Sequence, residues 1–184
     1  WTPLIGGNDI FLLTAPSEQA EGTLYELEGQ TLSRVVGGGG AGLTAKVSPS
    51  GRYVLYGSLA SGTSYLSVLD RNTGRSYEVP TITTPDKCSW FPEREPFLFC
   101  AVPAFIPGGV PDSWYMGLVS FEDDLWVIDP VRGIATLVAD LADVLGVPVD
   151  VVRPQVTEDG SHALFTNKNN SSLWVVKIKE SILP

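Results

Sequence analysis

Ser48-Pro49-Ser50-Gly51-Arg52-Tyr53-Val54-Leu55-Tyr56 is the stretch that decides the fold. Pro followed two residues later by Gly is tight-turn chemistry: Pro presets φ at the entry and Gly accepts a positive φ at the exit. Leu43-Thr44-Ala45-Lys46-Val47 reads as the strand entering the turn, and Arg52 to Gly57 as its hairpin partner. Ser64-Tyr65-Leu66-Ser67-Val68-Leu69-Asp70 is a third strand, closed by the turn Arg71-Asn72-Thr73-Gly74, and Arg75-Ser76-Tyr77-Glu78-Val79 is a fourth. These four short antiparallel strands make one unit of about 45 residues, a length typical of repeat architectures.

The unit recurs downstream. Lys87-Cys88-Ser89-Trp90 leads into the turn Phe91-Pro92-Glu93-Arg94-Glu95-Pro96, and Phe97 to Val102 returns. Leu125-Trp126-Val127-Ile128-Asp129 then matches Leu66 to Asp70. Asp70 and Asp129 each stand four residues before a Gly, so the Asp side chain is expected to bond its own turn. Ile134 to Ala139 is the outer strand. A third copy runs through Val151 to Val156, turns at Thr157-Glu158-Asp159-Gly160, returns through Ser161 to Thr166, and ends with Leu173 to Ile178. Upstream, Asp9 to Thr14, Thr23 to Leu27 and Thr31 to Val36 supply three strands, with Thr2 to Ile5 available as a first. Gly37 to Gly40 reads as a connection between sheets. Gly-rich backbone also cradles anions, but no helix start and no GK[ST] follows here. Ser181 to Leu183 is available as the start of a last strand, and Leu141 to Val147 as one helical turn.

Composition agrees with this pattern. The chain has 184 residues, 43% of them hydrophobic and 18% charged, which suits one globular domain with a buried core. Its 19 Gly and 14 Pro disfavour long helices. A net charge of −9 argues against nucleic acid or an anionic membrane surface as the main partner. No apolar run approaches the ~20 residues of a membrane span. One His and two Cys exclude His-rich metal sites and zinc ribbons. Trp1 is not a start residue, so the chain reads as a processed product or a piece of something longer.

A sheet of four short strands cannot cover both of its faces, and radial stacking of such sheets solves that problem. The Ser48 to Tyr56 hairpin and the Val-Leu-Asp-Arg-Asn-Thr-Gly-Arg and Val-Ile-Asp-Pro-Val-Arg-Gly-Ile turns (residues 68–75 and 127–134) resemble WD40-like or TolB-type β-propeller blades. Residues 87–90, 99–103 and 111–121 resemble an uncharacterised propeller family of candidate-phylum bacteria. These resemblances imply an all-β propeller of four-stranded antiparallel blades and imply no activity. Four blades are expected, over about residues 1–38, 41–80, 85–139 and 149–184 of a single or partial propeller domain. Three arrangements stand: part of a larger ring, a four-bladed ring closed alone, or a half ring completed by a second chain as a homodimer.

Few residues suggest chemistry. Cys88 and Cys100 are equidistant from Arg94, so they face each other across the two strands. Either a disulfide joins them, implying an extracytoplasmic or cell-envelope setting, or two reduced thiols pack as small hydrophobes. His162 lacks any nucleophile and orienting carboxylate recognisable from sequence. Glu122, Asp123 and Asp124 are the weak metal candidates, for Ca²⁺, but they lack the alternating spacing of a Ca²⁺ loop and also read as a solvated turn. The remaining candidate is the 102–121 segment, about 20 residues inserted between two strands. Its prolines stiffen a loop that carries Asp112, Trp114, Tyr115 and Met116, a low-entropy contact surface. The competing account folds Trp114 and Tyr115 back over the blade. Trp90, Trp126 and Trp174, each within an apolar strand, are expected to be largely buried.

Two functional readings follow. The first is a non-enzymatic scaffold, without cofactor, that contacts a protein or peptide through its loops. The second is a propeller-type hydrolase or lyase using carboxylates or Ca²⁺ at a central channel. The absence of a His-centred constellation favours the first.

Overall fold

In the computed structural model, residues 1–58 and 65–182 are described. Strands β1 (Thr2–Gly6), β2 (Asp9–Leu13), β3 (Glu21–Glu28) and β4 (Thr31–Ala41) pair antiparallel in chain order as blade 1. Blade 2 is β5 (Thr44–Val47), β6 (Tyr53–Ser58), β7 (Tyr65–Asp70) and β8 (Arg75–Glu78). Blade 3 is β9 (Cys88–Trp90), β10 (Leu98–Pro103), β11 (Asp123–Asp129) and β12 (Ile134–Ala139). Blade 4 holds three strands among the described residues: β13 (Val151–Val156), β14 (His162–Asn167) and β15 (Leu173–Lys177). The helices are two short turns, α1 (Asp112–Tyr115) and α2 (Leu141–Leu145).

The turns behave as their residues require. Gly51 N–H donates to Ser48 O at 2.9 Å with φ of 77°, and a Cβ on Gly51 would sit 2.6 Å from Gly6 O. That turn is therefore pinned against blade 1 at a position only Gly fills. Asp70 Oδ1 accepts from Asn72 N at 3.0 Å, and Asp129 Oδ1 accepts from Val131 N and Arg132 N, both at 3.0 Å. Arg52 also grips Asp70 with two nitrogens, holding its carboxyl below the usual carboxylate range.

Alternation along each strand sends side chains to both faces, and both faces of the middle blades are covered. In blade 2, Val54 packs toward blade 1 with Phe11, Leu13 and Leu24, while Leu55, Leu66 and Val68 pack toward blade 3. In blade 3, Cys88, Trp90, Leu98 and Cys100 face blade 2, and Phe99, Ala101, Leu125 and Val127 face Ala163 and Phe165 of blade 4. Each fully buried Leu or Phe contributes roughly 1.5–3 kcal/mol. Cys88 and Cys100 are register partners joined by a disulfide, with Cα atoms 4.1 Å apart.

Among the described residues, three interblade cores serve four blades, and none joins blade 4 to blade 1. The outward face of blade 1 carries the row Ile5, Ile10, Leu27 and Leu32, in register across all four strands, with Ile5 75% exposed. The outward face of blade 4 shows Leu173 and Val175, 69% and 60% exposed.

Several expectations are corrected. Gly37 to Gly40 do not separate sheets; they continue β4 through irregular pairing, and a Cβ at Gly37 would meet the Arg34 side chain at 2.7 Å. Residues 180–182 form a 3₁₀ turn, not a strand, and Leu183 lies outside the described residues, as does Ser64. Trp90 is buried, but Trp126 and Trp174 are only half-buried. Trp174 stands on β15, the last described strand of its sheet, where little lies beyond it.

Candidate functional site

The 103–121 segment is a compact, self-packed loop joining β10 to β11. Gly109 and Gly117, both at positive φ, bracket α1. Ser113 N donates to Gly109 O, Met116 N to Asp112 O, and Leu118 N to Ser113 O, at 2.8 to 2.9 Å. Val110, Trp114 and Phe121 form a small core of their own, with the two rings stacked at 5.7 Å. A buried indole needs a partner for its N–H, and Trp114 Nε1 donates to Asp150 Oδ2 at 2.9 Å.

The four loop residues singled out by sequence are thus separated. Trp114 points inward. The Tyr115 hydroxyl donates to Asp86, and Asp112 accepts from Glu18 N on the blade 1 side at 3.3 Å. Met116 is 66% exposed, beside Leu118 at 72% and with Phe105 at 75% on the same loop. The three acids diverge too. Glu122 is exposed, Asp124 accepts from Leu141 N, and Asp123 is buried against a lysine. Among the described residues no group of acidic, His or Cys side chains is arranged to hold a metal.

That lysine, Lys87, organises the loop's underside. It ends the 3₁₀ turn Pro85–Lys87, and its side chain is fully buried. Nζ donates to Asp123 Oδ2 at 2.5 Å, Asp150 Oδ1 at 2.7 Å and Val151 O at 3.0 Å, which uses all three of its N–H donors. The rings of Phe121 and Trp114 lie 4.7 and 5.1 Å from Nζ. Asp150 also accepts from Phe121 N and lies 3.7 Å from Lys168 Nζ. Lys168 in turn donates to Trp114 O and Val119 O. Desolvation pushes the Asp123 carboxyl up to about 6 against the opposing pull of Lys87. Lys87, Asp150 and Lys168 were missed in the sequence because the ion-pair partners lie 18 to 63 residues apart, with no local spacing to announce them.

A cavity of about 400 Å³ opens beside this cluster, lined by Lys46, Asp86, Trp114, Tyr115, Arg153 and Lys168 among others. Lys46 donates to Cys88 O, and burial lowers the pKa of both Lys46 and Lys168. The first strands of the blades make the contacts between neighbouring blades here, β1 with β5 and β9 with β13, so the cavity sits on the axial side.

His162 lies elsewhere, on β14. Ser161 Oγ sits 2.8 Å from its Nδ1, and Asp159 bonds the Ser161 hydroxyl and backbone, which depresses the Asp159 carboxyl to about 2. A catalytic triad needs the acid on the histidine; here it holds the serine of its own turn.

No family model and no curated protein matches the chain. Solved structures do. An oligogalacturonate lyase in complex with manganese superposes with a TM-score of 0.61 at 17% identity, over 98% of this chain and 49% of that one. A protein assigned as TolB from Agrobacterium tumefaciens gives 0.60 at 16%, over 96% and 57%. An acylaminoacyl peptidase from Pyrococcus horikoshii gives 0.53 at 15%, over 97% and 32%. The fold is a β-propeller. The chain spans about half the length of the first two of these structures. At such identities the likeness is one of architecture, and the propeller's site is read from its own residues.

Proposed function

We propose that this propeller is a non-enzymatic binding module that takes a protein or peptide partner on its 103–121 loop. The observation that carries this reading is the loop's two-sidedness. Its underside is locked by Trp114, Asp150 and Lys87, while Phe105, Tyr115, Met116 and Leu118 are exposed. Large apolar side chains held out on a rigid platform lose little conformational entropy on binding. The one histidine, His162, does not stand in the nucleophile–base–orienter order that an acyl-transfer enzyme needs, since Asp159 holds Ser161 and not the imidazole.

Further readings accompany this one. The Cys88–Cys100 disulfide supports an extracytoplasmic or envelope location. The apolar outer faces of blades 1 and 4 are covered in the working protein by further blades of the same kind, since unpartnered faces of this sort invite association. Residues 87–90, 99–103 and 111–121 support membership of the candidate-phylum propeller family that they resemble.

The binding reading is tested by selecting a random 12-residue phage-displayed peptide library on the immobilised chain. Enrichment on the wild type that disappears on the Met116→Asp/Leu118→Asp variant is expected. Enrichment that survives the double substitution, or none at all, sinks the reading. Both positions are exposed, so a melting curve matching the wild type's confirms that the variant is folded.

A further inference from the structure

We propose that the cavity beside the 103–121 loop receives a carboxylate side chain from an acidic peptide, with Arg153 as its anchor. This rests on the protein-binding reading above and names the chemistry of the bound segment. The chain has 12 Lys and Arg against 21 Asp and Glu. Even so, three cations from separate parts of the fold line this one cavity: Lys46 of β5, Arg153 of β13, and Lys168 just after β14. The lining carboxylate, Asp86, already accepts the Tyr115 hydroxyl. Lys46 and Lys168 bond carbonyl oxygens, and Lys168 also lies 3.7 Å from Asp150, an anion already held by Lys87. With Lys87 included, four cations face Asp86, Asp123 and Asp150, which leaves a surplus of one positive charge in a chain of net −9.

Arg153 carries that surplus. It is exposed, and no carboxylate among the described residues pairs with it. Its φ is 53°, and it sits where the β13–β14 register shifts between Val152 and Gln155. A side chain held in the left-handed region at an irregularity in pairing is a strained feature of the kind that collects at binding sites. One free guanidinium fork matches one carboxylate in a bidentate pair. Trp114 and Tyr115 supply apolar walls for the stem of a Glu or for an aliphatic neighbour in the peptide. A single surplus charge fits a carboxylate better than a multiply charged phosphate.

The phage selection provides the test. Peptides enriched on the wild type are expected to carry Asp or Glu beside an aliphatic or aromatic residue. The best of them, made synthetically, should bind Arg153→Gln about tenfold more weakly, the scale of one charged hydrogen-bonding contact. It should lose a similar factor when its own acid is changed to the amide. Arg132→Gln removes the same charge from an exposed turn and should change affinity less than twofold. Enriched peptides without acidic residues, or equal effects of the two arginine substitutions, overturn the carboxylate site and leave the loop reading standing. Absence of any enrichment overturns both.

Discussion

Replacing Lys87 with Met tests the central structural claim most directly. The side chains have similar length, so packing is largely kept while the charge is removed. Asp123 and Asp150, both fully buried, would then lose their shared cation. Asp123 retains only Val151 N, whereas Asp150 keeps Trp114 Nε1, Phe121 N and the more distant Lys168. Breaking a buried pair by removing one partner costs about 3–5 kcal/mol, because the orphaned charge stays desolvated. With a urea m-value of about 2–3 kcal/mol/M, the unfolding midpoint should fall by about 1.5 M at pH 7, followed by tryptophan fluorescence. An isolated buried carboxylate takes up a proton, so the loss should be smaller at pH 5 than at pH 7. Adding Asp123→Asn to Lys87→Met removes the worse-solvated charge and should recover at least half of the loss. A loss below about 1 kcal/mol, or no recovery in the double variant, would refute the claim that these charges are buried against one another.

Three further outcomes are expected. Non-reducing mass spectrometry of aerobically purified protein should find no free thiol, and because Cys88 and Cys100 already face each other in register, reduction should cost less than the ~3 kcal/mol of an otherwise free 15-residue loop. A carboxyl NMR titration should place Asp123 near pH 6; a folded pKa above the unfolded ~3.9 means proton uptake on folding, so this group favours the fold most below pH ~4 and its contribution fades as pH rises towards about 6. A midpoint in the ordinary carboxylate range would show that the pull of Lys87 matches desolvation at this site. Gly51→Ala should destabilise by more than ~1 kcal/mol, since it meets both a positive φ and the Gly6 carbonyl; an unchanged melting temperature would show that the turn does not dock on blade 1.

Most of the architecture was legible because its signals are local. Asp-x-x-x-Gly and Ser-Pro-Ser-Gly state their turns within four residues, and the facing of Cys88 and Cys100 follows from a single hairpin's symmetry. Gly37 to Gly40 misled for a related reason. Glycine reports that Cβ is absent and not why: here Arg34 and Thr23 crowd Gly37, whereas Gly38 and Gly40 take positive φ in open space. The candidate site was less legible. Trp114 was found by residue type, but its role as an anchor depends on Asp150, 36 residues away. Asp123 drew notice as an acid in an acidic run, whereas its environment is set by a lysine in another segment. Nothing in residues 85–90 alone distinguishes a buried strut from a solvated lysine.

Comparison of the blades explains why that strut stands where it does. The residue immediately before the first strand of a blade is buried in all three later blades: Leu43 before β5, Lys87 before β9 and Asp150 before β13. One structural slot thus holds an apolar side chain, a cation and an anion in turn. Leu43 joins the core shared by blades 1 and 2, while Lys87 and Asp150 pair across the junction of blades 3 and 4. Short connections set the order of the blades along the chain, and the charged slot then matches the faces that meet at the junction of blades 3 and 4. Set against blade 2, blade 4 would present Asp150 to Leu43 and leave a buried carboxylate without a cation, at a cost of about 3–5 kcal/mol. The same pair carries the 103–121 loop, because Asp150 holds Trp114 on one side and Lys87 on the other. The blade 3–4 junction and the loop position are therefore held by the same two charged side chains, and a substitution that loosens one is expected to loosen the other. Hydrogen exchange on Lys87→Met checks this: exposure of the 103–121 amides without matching exposure along β13 would separate the two roles.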